Sequence, residues 1–213
     1  MGNNKSKKEK KKKETKKYNL AIYFFGDTKV GKTQIIDKLI NNESTESIPP
    51  KLLNVSYKTI NLEKENLIMN INLEICDFIG DSSFSNYIKI FPRKSGIFIL
   101  VYDVTNENSF NNLSKWLEIT YNYREKRTIV IIGNKNDLIE EKKISTEKGK
   151  NFAKDINALF FETSAINNEN IENIFIEIIN YYYKEFLEYE EKKLFLKEEK
   201  KEKNLVVGDN LEK

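Results

Sequence analysis

Gly26-Asp27-Thr28-Lys29-Val30-Gly31-Lys32-Thr33 is a Gly-x-x-x-x-Gly-Lys-Thr run set between the apolar stretch Tyr18 to Phe25 and an apolar-periodic segment. It reads as a strand, a loop and a helix start. Wrapped around a triphosphate, such a loop presents successive backbone N–H groups to the phosphates, puts the Lys32 ammonium on the outer ones and offers the Thr33 hydroxyl to Mg²⁺. Gly26 and Gly31 permit turns that a β-carbon would obstruct. The candidate phosphate cradle is therefore Gly26, Asp27, Thr28, Lys29, Val30, Gly31, Lys32 and Thr33.

The 213 residues accommodate one α/β domain of about 165 residues plus tails, and no internal repeat is visible. No uninterrupted apolar segment approaches the roughly 20 residues that span a bilayer, so the expectation is a soluble or peripherally attached protein. Cys76 is the only cysteine, which excludes an intramolecular disulfide and a cysteine-based zinc site. The absence of histidine excludes His-dependent catalysis. Nine Lys and two Glu in residues 1–17 carry +7 of a net +3, which leaves −4 on the remainder. The basic character belongs to the tail, and no nucleic-acid partner is expected.

Met1-Gly2-Asn3-Asn4-Lys5-Ser6 fits the N-myristoylation pattern, with Gly2 as the acylated residue. A single acyl chain binds membranes marginally, whereas each Lys near an anionic leaflet adds about 1 kcal/mol, so the two signals together make a workable anchor. The alternative is a solvated lysine run, or a localisation or nucleic-acid-binding tail, beside an accidental Gly2. A secretory signal is not expected, because the apolar core of one is missing.

Tyr18 to Phe25 reads as a buried strand, and Ile35, Ile36, Leu39 and Ile40 mark the core face of the next helix. Asn41 to Pro50 reads as loop. The runs Leu53 to Leu62 and Leu67 to Cys76 look like an antiparallel pair closed by Asp77-Phe78-Ile79-Gly80. Ile97 to Tyr102, Ile129 to Ile132 and Leu159 to Phe161 are further strands. Between and after them, Phe110, Leu113, Trp116 and Leu117, then Phe152 and Ala153, and finally Ile171, Ile174, Phe175, Ile178 and Ile179 mark helices, the second capped by Ser145 or Thr146. The expected fold class is α/β: a six-stranded, mostly parallel sheet with an antiparallel edge strand and helices on both faces. Ligands of such sheets bind beyond the carboxyl ends of the strands, where every candidate motif of this chain lies.

With Gly133-Asn134-Lys135-Asn136-Asp137 and Phe161-Glu162-Thr163-Ser164-Ala165 added to the phosphate loop and Asp77 to Gly80, the sequence resembles the Ras superfamily of small GTPases over about residues 18–183. Val101-Tyr102-Asp103-Val104-Thr105, Glu107-Asn108-Ser109-Phe110 and Trp116-Leu117 resemble the Rab branch most. The resemblance implies a P-loop domain over 18–183, a disordered basic tail over 1–17, and a charged helical extension and tail over 184–213. It implies GTP or GDP bound with Mg²⁺: Lys32 on the phosphates, Thr33 on Mg²⁺, Asp77 on Mg²⁺ through water, and the Gly80 N–H on the γ-phosphate. For the base it implies that the Asp137 carboxylate accepts from the guanine ring N–H and amino group. Asn134 then steadies neighbouring loops, Lys135 lies along the base, and the Ala165 N–H beside Ser164 meets the guanine oxygen.

Five departures qualify that picture. The first-switch Thr of Rab-like proteins falls on Leu52 when the chain is aligned on Val55 to Thr59, and on Lys51 when aligned on Pro50; Thr45 comes too early. The family's Asp-Thr-Ala-Gly-Gln-Glu becomes Asp77-Phe78-Ile79-Gly80-Asp81-Ser82, so Asp81 stands where a glutamine orients the attacking water. A carboxylate beside an anionic γ-phosphate is repelled, and slow hydrolysis is expected. Lys29 adds a positive charge near the phosphates or points into solvent. Cys76 replaces a Trp of the Rab effector surface, of which Tyr57 persists, so partner choice is expected to differ. The last ten residues hold none of the cysteines that Rab proteins prenylate, which gives Gly2 more weight as the anchor. Phe186, Leu187, Leu194 and Leu196 have helical spacing in residues 184–203, which extend the last helix, dock a partner or form a solvated helix.

The expected function is that of a Rab-like small GTPase, monomeric, on the cytosolic face of an intracellular or plasma membrane. It would serve vesicle traffic with exchange, activating and effector proteins that the sequence does not identify. Its alternatives are a non-hydrolysing GTP-binding pseudo-GTPase scaffold tethered to membrane, and a tethered interaction module with an empty pocket. The intact Lys32, Thr33, Asn134, Asp137 and Ala165 argue against the last.

Overall fold

The structure is a computed structural model that describes residues 13–40, 45–48, 53–64, 67–81, 96–121, 127–168 and 171–188. Among them, in chain order, are strands β1 (Glu14–Phe25), β2 (Thr45–Ile48), β3 (Leu53–Lys64), β4 (Leu67–Phe78), β5 (Gly96–Asp103), β6 (Arg127–Asn134) and β7 (Leu159–Thr163). The helices are α1 (Lys32–Ile40), α2 (Glu107–Asn111), α3 (Leu113–Thr120), α4 (Thr146–Asp155) and α5 (171–188). The sheet order is β2-β3-β4-β1-β5-β6-β7. β1 pairs in parallel with both β4 and β5, and β5-β6-β7 continue in parallel, whereas β3 runs antiparallel to β4. The six expected strands form this mostly parallel sheet, and the four-residue β2 adds a further edge beside β3.

Alternation along the strands divides the core in two. Leu20, Ile22 and Phe24 of β1 face one side with Ile97, Ile99 and Val101 of β5, covered by α1 and α5. Ala21, Tyr23 and Phe25 face the other with Phe98, Leu100 and Tyr102, covered by α3 and α4. Every residue of β5 is buried, as a central parallel strand coated on both faces requires. Each large apolar side chain so buried contributes about 1.5–3 kcal/mol.

Three boundaries differ from the sequence reading. β1 begins at Glu14, because β4 reaches back to Leu67 and gives Glu14–Lys17 backbone partners as far as Asn70. The basic segment therefore contributes four residues to the sheet, with exposed side chains, and residues 1–12, including Gly2, lie outside the described residues. The expected loop 41–50 contains β2, whose Thr45 backbone pairs with Ser56. The helix through Phe110 and Trp116 is two helices meeting at Asn112, the first capped by the Asn106 side chain. α5 runs past residue 183 without a break, and Phe186 packs on the core. Leu194 and Leu196 lie outside the described residues.

Candidate functional site

The carboxyl ends of β1, β4, β6 and β7 bring the sequence-predicted residues together. Beyond Phe25 the chain turns with positive φ at Gly26, Lys29 and Gly31 (142°, 64° and 97°) before entering α1. A Cβ on Gly26 would strike the Val101 carbonyl, and one on Gly31 would strike Asn134 Nδ2. The two glycines thus allow a close approach as well as a turn. Lys29 occupies the left-handed region without that excuse and is exposed at the rim.

The Lys32 ammonium, 6% exposed, donates to the carbonyls of Gly26 (2.8 Å) and Asp27 (2.9 Å). Burial lowers its pKa to about 8, against the raising effects of Asp77 and Asp27. Thr33 Oγ1 donates to Asp77 Oδ2 at 2.5 Å, joining the first turn of α1 to the end of β4. Asp77 Oδ1 is buried with no hydrogen-bond partner among the described residues. Burial raises the Asp77 pKa, against the Thr33 hydrogen bond and the Lys32 charge. The Thr33 hydroxyl and the Asp77 carboxylate are two oxygens of the kind that a hard cation such as Mg²⁺ takes, the rest of whose shell would fall to water and phosphate oxygens. Gly80 lies hard against the backbone of Asp27 and Thr28, where a Cβ would clash, so the chain after β4 abuts the phosphate loop. Asp81 is exposed. Lys51, Leu52 and Ser82 lie outside the described residues.

Asn134 ties the two halves of the site together. Fully buried, it donates from Nδ2 to Val30 O (2.8 Å) and accepts at Oδ1 from Thr163 Oγ1 (3.1 Å) and the Ala165 N–H (3.2 Å). The Ala165 N–H, which the resemblance assigns to a guanine oxygen, is thus engaged by Asn134 here. Ser164 Oγ accepts from the Asn167 N–H at 3.1 Å. The Asn136 N–H donates to Thr163 O (3.0 Å), which ties the loop after β6 to the end of β7. Asp137 Oδ1 is buried and, among the described residues, unpartnered, an acceptor that a base N–H would satisfy.

Lys135, Leu138 and Ile166 line a cleft of about 550 Å³ with Lys29, Gly31, Lys32, Thr33 and Gln34. The Lys135 ammonium is held by Asp103 Oδ2 at 2.6 Å. Burial pushes the Asp103 pKa up, but hydrogen bonds from Lys135 and from both the N–H and hydroxyl of Thr105, with the Lys135 charge, bring it below the usual carboxylate value. The sequence reading did not anticipate this pair, nor Lys142, whose ammonium meets Asn136, Thr146 and Glu162 at 2.9–3.0 Å and braces the base loop. Ile166 was also missed. It is 68% exposed on the cleft wall, and a large apolar residue directly after Ser164-Ala165 was the available signal.

A model described as the Ras family matches residues 21–184. The chain belongs to the Ras family. Within that family it is Rab-like. This Ras-family chain is 31% identical over 167 residues to Ras-related protein Rab-11B of Dictyostelium discoideum, an overlap covering 78% of this chain and 74% of that protein. It is 34% identical over 167 residues to Ras-related protein RabY of the same organism, covering 76% and 69%. Among the described residues of this Rab-like chain, no helix is long and apolar enough to cross a membrane.

Proposed function

We propose that this Rab-like chain binds GTP and GDP with Mg²⁺ and hydrolyses GTP slowly. The observation that carries the reading is the reach of one buried side chain: Asn134 fixes Val30 of the phosphate loop to Ala165 of the base loop and so makes one cleft of both. Lys32 would bind the outer phosphates, Thr33 and Asp77 would hold Mg²⁺, and Asp137 would select guanine. When bound, Mg²⁺ supplies charge neutralisation at the phosphate oxygens. Asp81 has no amide with which to orient water, and its negative charge opposes the approach of a nucleophile to a phosphate, which supports weak turnover. That same residue supports the second reading, a scaffold in which nucleotide is a structural cofactor.

Membrane attachment rests on the Met1 to Ser6 acylation pattern and the lysine run, in accord with the expected anionic surface. A role in vesicle traffic rests on family likeness alone. The deciding experiment extracts and identifies the nucleotide carried by purified protein and follows single-turnover GTP hydrolysis with and without Mg²⁺. Bound nucleotide with slow hydrolysis is expected; bound but unhydrolysed GTP would favour the scaffold. Asp137→Ala should erase the preference for GTP over ATP, and retained preference would overturn the base-site assignment.

A further inference from the structure

The phosphate loop carries one acidic side chain, Asp27, and a carboxylate in such a loop opposes an anionic ligand. Its two oxygens are taken by neutral donors from elsewhere in the chain. Oδ1 accepts the Trp116 indole N–H at 2.8 Å and Oδ2 accepts Asn112 Nδ2 at 2.7 Å. Trp116 is 2% exposed and stacks on Phe25, the last residue of β1, with ring centroids 6.3 Å apart, so its donor is fixed in direction. Asn112 is half-buried at the junction of α2 and α3. These partners draw the carboxylate toward the sheet face that carries α3, whereas α1, opened by Lys32 and Thr33, packs on the opposite face. The Asp27 carbonyl meanwhile accepts from Lys32 Nζ at 2.9 Å, so the residue held by this latch also seats the phosphate-binding ammonium.

We propose that Asn112 and Trp116 are positioning residues that set the rate of nucleotide release by holding the Asp27 charge away from the phosphates. The inference deepens the nucleotide-binding reading and rests on it. Freed from either donor, the carboxylate turns toward the ligand and the loop loses its phosphate-binding form.

The test is a double-mutant cycle read as release of a fluorescent GDP analogue chased by excess GDP. Asn112→Ala should speed release about tenfold, the scale of one lost hydrogen bond to a charged group. In an Asp27→Asn background, where no charge is left to redirect, Asn112→Ala should change release less than twofold. Trp116→Phe retains an aromatic ring beside Phe25 but removes the N–H, and it runs the same cycle should Asn112→Ala fail to fold. Equal acceleration in both backgrounds, or none in either, would overturn the latch. Failure of the unaltered protein to retain any guanine nucleotide would instead overturn the reading on which the latch rests.

Discussion

Thr33 Oγ1 donates its proton to Asp77 Oδ2 at 2.5 Å, while Asp77 Oδ1 is buried without a partner among the described residues. A buried carboxylate oxygen with nothing to accept from is costly unless a ligand satisfies it. Asp77→Ala should therefore weaken Mg²⁺ affinity about 10- to 100-fold, the usual effect of removing a residue that acts on a metal through a water. The Mg²⁺ concentration needed to slow GDP release measures it; an unchanged midpoint would remove Asp77 from the metal site.

Asn134 joins three segments through three hydrogen bonds from a fully buried amide. Asn134→Ala strands the Val30 carbonyl, the Thr163 hydroxyl and the Ala165 N–H together, and should cost about 3 kcal/mol of stability as well as nucleotide affinity. Chemical unfolding in the presence and absence of GDP separates the two effects. A loss below about 1 kcal/mol would show that the loops hold together without it.

Legibility from the sequence followed the range of the interaction. The continuous apolar run Ile97 to Tyr102 and the helical spacing of Ile171 to Ile179 are local signals, and a buried strand and a core-facing helix could be read from them. The phosphate loop was legible because Gly-Lys-Thr chemistry is confined to eight neighbouring residues. The extension of β1 to Glu14 was not legible, since four polar residues join the sheet only through backbone partners in β4, 53 positions away at Leu67. Nor was the Asp27 latch: Asn112 and Trp116 lie 85 and 89 residues on, and nothing local marks their donors as aimed at the loop.

Asp103 gives a pH dependence. Its folded pKa lies below the unfolded value, so between the two the unfolded chain binds more protons and stability rises with pH. The contribution of the Lys135 pair is complete above the ordinary carboxylate range and is lost as pH falls through the lowered folded value. Asp103→Asn should then cost about 2 kcal/mol at pH 7, and the gap from the unaltered protein should close on acidification. Urea midpoints from pH 7 down to the acid limit measure this; a gap constant with pH would assign the loss to packing rather than charge.

On the proposed reading, Asp81, exposed beyond Gly80, is the residue that limits turnover. Its carboxylate accepts hydrogen bonds but donates none, and its charge repels the phosphate that a water must reach. Asp81→Gln adds an amide that can both accept from water and donate toward the phosphate, and removes the repulsion. Single-turnover hydrolysis should rise by about tenfold or more, because one well-placed polar group at a transition state is worth about that ratio or greater. GDP affinity should stay within about twofold, since GDP lacks the phosphate that the residue would face on that reading. An unchanged rate would move the defect to the first switch, where Leu52 or Lys51 stands in place of threonine. A faster rate accompanied by weaker GDP binding would instead mean that Asp81 supports the loop itself.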